Sequence, residues 1–275
     1  MSKISEMLKL NKNYIIIVDV LLTIVVYVRF FELMSTLRQH SKNFADLVFY
    51  IIGDMYIVLY ILTLAFMILI LYVSKKDIVN SYILMKYKSK KIWYINQILL
   101  IFLYALTFVL FIIFLCVIVS AVNVQISNEW SNFAKFIAFQ GNPIISESMI
   151  KYSSPFVLLI YNAIFLMLFL FMNGLLYFII NFLTKNNMIG FVVTYSVTIV
   201  LLSLVLTVLQ IEHLYILSPF KNVIISEHSI GYGDIKYNPT LMFSFLYFII
   251  VNCVLIILGY QLLKRIELKF GDKKL

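Results

Sequence analysis

Six long apolar stretches alternate with shorter polar segments along the chain. A helix needs about 20 mostly apolar residues to cross the hydrocarbon core of a bilayer. The stretches that approach or exceed this length are residues 14–31, 47–73, 92–122, 155–183, 188–211 and 241–263. The pattern predicts an all-α, polytopic membrane protein with six transmembrane helices. Because no polar segment is long enough for a soluble domain, we expect residues 1–275 to form a single transmembrane domain.

Glycine and proline are placed so that they interrupt these stretches little. Gly174 is the glycine deep inside a predicted span, and the four prolines lie at span edges. Transporters with broken helices usually have Gly or Pro in mid-span. We therefore expect unbroken spans, and we expect short interfacial helices at residues 130–138 and 219–225 of the connecting loops.

The composition supports a membrane protein and excludes several other classes. The chain is 63% hydrophobic and 13% charged, with a mean hydropathy of +0.99, whereas soluble domains are nearer half apolar and a quarter charged. The net charge of +9 lies in short segments that flank apolar stretches, which does not favour a nucleic-acid partner. Cys116 and Cys253 both lie within apolar stretches, which is typical of small buried hydrophobic residues, and no metal site is expected.

The distribution of basic residues predicts the orientation in the membrane. Fifteen of the 22 Lys and Arg residues lie in the N-terminal segment, the loop after the second stretch, the turn after the fourth and the C-terminal tail. Basic residues favour the cytoplasmic side. We therefore expect both termini in the cytoplasm, and residues 32–46, 123–154 and 212–240 outside.

The most patterned polar segment is residues 75–97, KKDIVNSYILMKYKSKKIWYINQ, which contains six lysines. Apolar and basic positions recur three or four residues apart, as on an amphipathic helix that lies along the inner membrane surface. The positions concerned are Val79, Tyr82, Ile83, Lys86, Tyr87 and Lys90. A simpler alternative is a basic loop that sets the orientation and binds anionic lipid.

In this segment and in its overall architecture, the chain resembles the membrane subunit, or permease, of a bacterial type 2 ATP-binding-cassette (ABC) exporter. The resemblance covers the whole chain in span number, inside termini and a large outer loop between spans five and six. Its motif-level part is confined to residues 75–97. It implies that residues 77–88 form a coupling helix that docks on a separate ATPase. The residues assigned to that helix are Asp77, Ile78, Ser81, Tyr82, Leu84, Met85, Lys86, Tyr87 and Lys88.

The same resemblance defines the expected partners and cofactors. The chain has no GxxxxGK[ST] motif, so ATP hydrolysis is expected on the partner ATPase, which would hold Mg-ATP. No cofactor is expected on this chain. The expected partners are ABC ATPase subunits, a second permease copy or a paralogue, and membrane lipids, in the bacterial cell membrane. The walls of the expected translocation path are rich in Phe, Leu and Met. They favour an amphipathic cargo, such as a peptide, drug or lipid-like molecule.

A rival interpretation comes from residues 229–234, SIGYGD, which precede the last apolar stretch. Potassium-channel selectivity filters resemble this sequence. In those filters, backbone carbonyls replace the hydration shell of the ion. The segment where a pore helix would lie contains Lys221, Glu227 and His228, which is unusual for such a helix. The fourth stretch also lacks the Arg ladder of a voltage sensor. The potassium-channel interpretation remains the alternative to the exporter.

Polar residues inside the predicted spans are the candidates for a translocation path. Asp19 lies about 7 Å from the inner end of the first span, and Asp54 about 10 Å from the outer end of the second. Intramembrane carboxylates are functional candidates, whereas Asn and Thr more often bond neighbouring helices. The candidates for the path are Asp19, Asp54, Asn162, Asn173, Thr194 and Thr198.

An enzymatic function is not expected. The three histidines, His40, His213 and His228, all lie in predicted outer loops without metalloprotease spacing, and no GxSxG motif occurs. We assign no catalytic residues.

Overall fold

The computed structural model describes residues 12–74, 89–121, 124–207, 216–231 and 238–271. About 80% of the structure is helical, and these residues contain no β-strand. The all-α prediction is therefore confirmed.

The helices are numbered here in chain order. They are α1 (Lys12–Ser35), α2 (Phe44–Ile52), α3 (Thr63–Ser74), α4 (Lys90–Ser120), α5 (Asn132–Phe139), α6 (Glu147–Tyr152), α7 (Pro155–Thr184), α8 (Asn187–Thr207), α9 (Pro219–Val223) and α10 (Leu241–Gly271). A π-helical turn, Ile57–Leu62, precedes α3, and a 3₁₀ turn, Ile225–Glu227, follows α9. The short helices predicted in the loops are present as α5 and α9.

Three helices in the described part of the chain are long and apolar enough to cross a membrane: α4, α7 and the segment Leu241–Lys264 of α10. A fourth span results if α2 and the Ile57–Leu71 segment count as one bent span. α1 has 24 residues but is not among these helices, and it includes the charged residues Asp19, Arg29 and Glu32. The apolar part of α8 is shorter than a membrane span. The chain is compatible with a multi-pass membrane protein. Six spans and cytoplasmic termini stay predictions.

The second predicted span, residues 47–73, is not one continuous helix, and the expectation of unbroken spans is wrong there. The axis bends by 66° between α2 and the segment that starts at Ile57. The carboxylate of Asp54 accepts hydrogen bonds from the backbone N–H groups of Tyr56 at 2.8 Å and Ile57 at 3.3 Å. A side chain that bonds the free N–H groups of a helix start favours a new helix at that point, so the chain turns after Gly53.

α7 is the central helix of the bundle. It packs against α4, α8 and α10, and also contacts α2 and α9. Asn162, Asn173 and Asn181 are all fully buried, so the three asparagines do lie on the buried side of this helix. Gly174 allows α4 to approach closely, because a Cβ atom there would lie 2.4 Å from a methyl group of Ile101.

One end of the bundle is covered by a loop layer, defined as residues 36–43, 124–154 and 216–231. Hydrogen bonds between distant segments hold this layer together. Asn43 Nδ2 donates to the Glu129 carbonyl at 2.6 Å, and Ser226 Oγ donates to the Pro143 carbonyl at 2.6 Å. The ring of Trp130 stacks on Phe49 of α2 with 5.6 Å between ring centroids. The layer is thereby fastened to α2.

Candidate functional site

A cavity of about 430 Å³ lies between α1, α3 and α4. Most of its wall is apolar, and includes Leu22, Leu69, Leu103 and Phe108. Its volume falls within the range of small-molecule sites, about 300–1,000 Å³. We refer to it as the Asp19 cavity, because Asp19 is the charged side chain in its wall.

The position of Asp19 follows from the helical repeat of α1. Val18, Leu22, Val26 and Phe30 recur every four residues and form the buried stripe of this helix. Asp19 directly follows the first of these residues, so its side chain lies at the edge of the stripe and is partly exposed. It is seven residues, or about 10 Å, from the start of the helix, at the end opposite the loop layer.

No basic side chain of the described residues pairs with the carboxylate of Asp19. Arg29, the basic residue of α1 that does form ion pairs, contacts Glu32 and Asp54 instead. Tyr104 and Thr107 also line this cavity, and the Thr107 hydroxyl donates to the Leu103 carbonyl at 2.8 Å. The Asp19 cavity thus combines a large apolar surface with one carboxylate.

A second cavity, of about 490 Å³, lies between α2, α4 and α7. Its lining residues are all apolar and include Phe44, Val109, Phe156 and Ala163. It lies in the half of the bundle next to the loop layer, since Phe44 and Phe156 are at the starts of their helices. Of the six candidate path residues, Asp19 lines one of these two cavities and the other five line neither.

Asp54 is engaged at the bend rather than open to a cavity. Arg29 of α1 forms an ion pair with one carboxylate oxygen, and the other oxygen accepts the backbone N–H groups that start the next helical segment. Both side chains are largely shielded, with 19% exposure for Arg29 and 12% for Asp54. This geometry favours a structural role for Asp54. The two residues are 25 positions apart, and no sequence pattern predicts the pair.

Asn173, Thr194 and Thr198 come together where α7 packs on α8. The Thr198 hydroxyl lies 2.6 Å from Asn173 Oδ1, to which it donates, and Asn173 Nδ2 donates to the Phe169 carbonyl at 2.9 Å. The Thr194 hydroxyl donates to the Gly190 carbonyl at 2.7 Å. These contacts are the interhelical and local hydrogen bonds that buried polar residues make in membrane bundles.

Asn162 differs from these residues. It is fully buried, and neither its Nδ2 nor its Oδ1 atom has a hydrogen-bond partner among the described residues. A buried amide without partners costs free energy, about 1–3 kcal/mol for each unsatisfied group. Asn162 therefore stays a candidate for the path, without a cavity of its own.

A buried polar cluster that the sequence does not predict joins the loop layer to α10. Ser244 Oγ lies 2.8 Å from Nε2 of His228 and donates to Asn222 Oδ1 at 2.7 Å, while Nδ1 of His228 lies 2.9 Å from the Ile224 carbonyl. The imidazole also stacks on Phe165 of α7. The three polar residues are 6 and 16 positions apart, a spacing that corresponds to no known motif.

The filter-like sequence is only partly described. The Ser229 N–H donates to the Pro239 carbonyl at 3.0 Å, and Ile230 is buried. Gly231 has a φ angle of +78°, and a Cβ atom there would lie 2.3 Å from the ring of Tyr152. Tyr232, Gly233 and Asp234 lie outside the described residues.

The predicted coupling helix, residues 77–88, also lies outside the described residues. In the part of the chain that is described, no three or more His, Cys, Asp or Glu side chains come together as a group able to hold a metal ion.

Comparison with known proteins found no match for this chain: no family model, no curated protein and no solved structure corresponds to it.

Proposed function

We propose that the chain is the transmembrane subunit of a bacterial ABC exporter that moves an amphipathic substrate out of the cytoplasm, driven by a separate ATPase. The observation that supports this most is the Asp19 cavity. An apolar wall with one charged group suits a molecule that is mostly apolar and partly polar. The cavity lies in the half of a helical bundle opposite the loop layer, which the distribution of basic residues predicts to be cytoplasmic.

Support for a separate source of energy comes from the sequence. The chain has no ATP-binding loop of its own, and residues 75–97 have the basic, amphipathic pattern that resembles the coupling segment of exporter permeases. The proposed assembly contains two copies of this chain, or one copy and a paralogue, with two ATPase subunits in the bacterial cell membrane. It has six spans per chain and cytoplasmic termini.

The test is a coupling experiment in which the chain is co-expressed with a candidate ABC ATPase. Tyr82→Asp and Leu84→Asp together replace two apolar residues of the 77–88 segment by charges, and a charge in an apolar docking groove is costly unless it is paired. We expect this variant to lose ATPase association and ATP-driven export while it still inserts and purifies normally. Unchanged association and export would contradict the proposal and favour a lipid-binding role for the segment.

Phe139→Asp provides the matched control. Phe139 is an aromatic residue on α5 of the loop layer, 81% exposed, so its replacement adds a similar charge at the opposite end of the bundle. We expect this variant to retain both ATPase association and export. Loss of coupling in both variants would indicate general damage to the fold.

The alternative function is a potassium channel with residues 229–234 as its filter. One observation favours it: the positive φ angle of Gly231, a backbone conformation that filter glycines require and that also occurs in ordinary turns. Potassium conductance of the reconstituted protein, compared with that of Gly231→Ala, separates the two functions.

A further inference from the structure

We infer that the Asp19 cavity is a binding site for lipophilic cations, that is, molecules with a delocalised or shielded positive charge surrounded by apolar groups. This inference names the substrate class of the proposed exporter. It rests on the proposed function for the transport step, but not for binding.

The first argument is the charge in the cavity. A carboxylate inside an apolar helical bundle is costly and is normally matched by a positive charge. Asp54, the other carboxylate assigned to a predicted span, has such a match in Arg29. Asp19 has none among the described residues, although its cavity is large enough for a ligand. A cationic ligand supplies the missing charge.

The second argument is the nature of the wall. A strongly hydrated cation, such as a simple ammonium ion, loses its water shell in an apolar cavity with few hydrogen-bond acceptors. A cation whose charge is shielded by aromatic or aliphatic groups loses little hydration and gains burial against residues such as Leu22, Leu103 and Phe108. Phe108 and Tyr104 also offer aromatic rings, which attract cations.

The third argument is the contrast with the second cavity. That cavity has nearly the same volume but no polar or charged side chain in its wall. An apolar ligand without charge fits both cavities, whereas a cation is favoured at Asp19 alone. The chain thus contains its own control site.

The test is equilibrium binding of radiolabelled tetraphenylphosphonium to the purified full-length protein in nanodiscs of zwitterionic lipid. Empty nanodiscs correct for partitioning of the cation into lipid. We expect saturable binding, and we expect Asp19→Asn to weaken it at least tenfold, since this change removes the charge and keeps the shape. Asp19→Glu should retain most of the affinity, and an uncharged tetraphenyl analogue should bind wild type and Asp19→Asn within twofold of each other.

Three further variants locate the site. Glu32→Gln removes another carboxylate of α1, 13 residues or about 20 Å along the helix from Asp19, and should leave binding unchanged. Thr107→Trp fills the Asp19 cavity without removing its charge and should weaken binding. Ala163→Trp fills the second cavity and should not. If Asp19→Asn fails to fold, the contrast between Thr107→Trp and Ala163→Trp still tests the site.

Several outcomes would overturn the inference. One is the absence of saturable binding to the wild-type protein, and another is equal affinity in Asp19→Asn. Unchanged binding combined with loss of self-association in Asp19→Asn would assign the cavity to contact with a second copy of the chain. Equal effects of Thr107→Trp and Ala163→Trp on binding would show that the cation does not bind in the Asp19 cavity.

A parallel assay of ATP-driven export keeps this inference separate from the proposed function. Binding that depends on Asp19, without export by the assembled complex, would support the site and contradict the exporter. Export without Asp19-dependent binding would support the exporter and contradict the site.

Discussion

At the scale of single residues, the buried cluster of His228, Ser244 and Asn222 connects the loop layer to α10. Burial lowers the pKa of His228 from its ordinary 6.5 to about 4, while the hydrogen bond to the Ile224 carbonyl acts in the opposite direction and nearby Lys221 lowers the pKa further. Burial lowers the pKa of Lys221, and Glu227 on the same segment partly offsets this effect. The folded protein thus favours the neutral imidazole.

This shift predicts that the protein loses stability in acid. Because the unfolded chain takes up the proton near pH 6.5 and the folded chain only near pH 4, the contribution of His228 is complete above pH 6.5 and is lost as the pH falls to 4. The loss is about 3 kcal/mol at most. Thermal unfolding in detergent at a series of pH values measures it.

Two variants test whether His228 is the cause. His228→Asn should flatten the acid-induced decrease in the unfolding temperature between pH 6.5 and 4. His40→Gln should leave it unchanged, since His40 lies in a different part of the loop layer, where it stacks on Phe136. An unaltered decrease in His228→Asn would show that other groups titrate in this range.

At the scale of helices, the bend between α2 and α3 is stabilised by a contact with α1. Arg29 pairs with Asp54 at the bend and with Glu32 on its own helix. Asp54 also bonds the backbone N–H groups that start the next segment. One carboxylate therefore bonds the start of the second helical segment and ties it to α1.

We predict that Arg29 matters more for stability than either of its acidic partners. Arg29→Met leaves the Asp54 carboxylate without its cation, which should cost about 2–3 kcal/mol. Asp54→Asn should cost less, because an asparagine still accepts the backbone N–H groups. The free energy of unfolding in a denaturant series measures these differences.

The double variant provides the decisive comparison. Arg29→Met combined with Asp54→Asn should be more stable than Arg29→Met alone, since no charge is left unpaired at the bend. Glu32→Gln is the control: this side chain is about half exposed, and its loss should cost less than about 1 kcal/mol. Additive effects of the two changes at the bend would show that the ion pair contributes nothing.

At the scale of the whole molecule, the loop layer covers one end of the described bundle, and the charged cavity lies toward the other end. Contacts between distant segments hold the loop layer together, and the all-apolar cavity lies beneath it. Gly231 lies within the loop layer and packs against Tyr152. The exporter and channel interpretations assign it different roles: a closely packed turn, or the start of a selectivity filter.

We predict that the role of Gly231 is packing. Gly231→Ala introduces a methyl group at a positive φ angle and against the Tyr152 ring, and should weaken ATP-driven export without abolishing it. Adding Tyr152→Ala removes the ring and should restore part of the lost stability and export. A filter would respond differently, because its carbonyl geometry depends on Gly231 whatever residue occupies position 152.

Particle mass and conductance complete this test. The exporter predicts two copies of the chain, or one copy and a related chain, and no potassium current in reconstituted membranes. A four-fold assembly with a potassium conductance that Gly231→Ala abolishes would contradict the exporter and make residues 229–234 the functional centre.

The sequence alone determined the helical class and the positions of most long helices. Backbone groups in a bilayer must bond within their own segment, so long apolar stretches are helices with little dependence on their neighbours. The predicted 92–122 and 155–183 stretches correspond closely to α4 (Lys90–Ser120) and α7 (Pro155–Thr184). Asp19 was a candidate from the sequence because any carboxylate in such a stretch is unusual.

Only the tertiary structure decided which polar residues meet. It paired Asp54 with Arg29, joined His228 to Ser244, and left Asp19 facing a cavity. In a soluble protein, polar faces reveal the rotation of each helix, but here both the lipid-facing and the buried sides are apolar. The rotation and register of neighbouring helices, on which every contact between distant residues depends, are therefore set by side-chain packing that the hydropathy pattern does not encode.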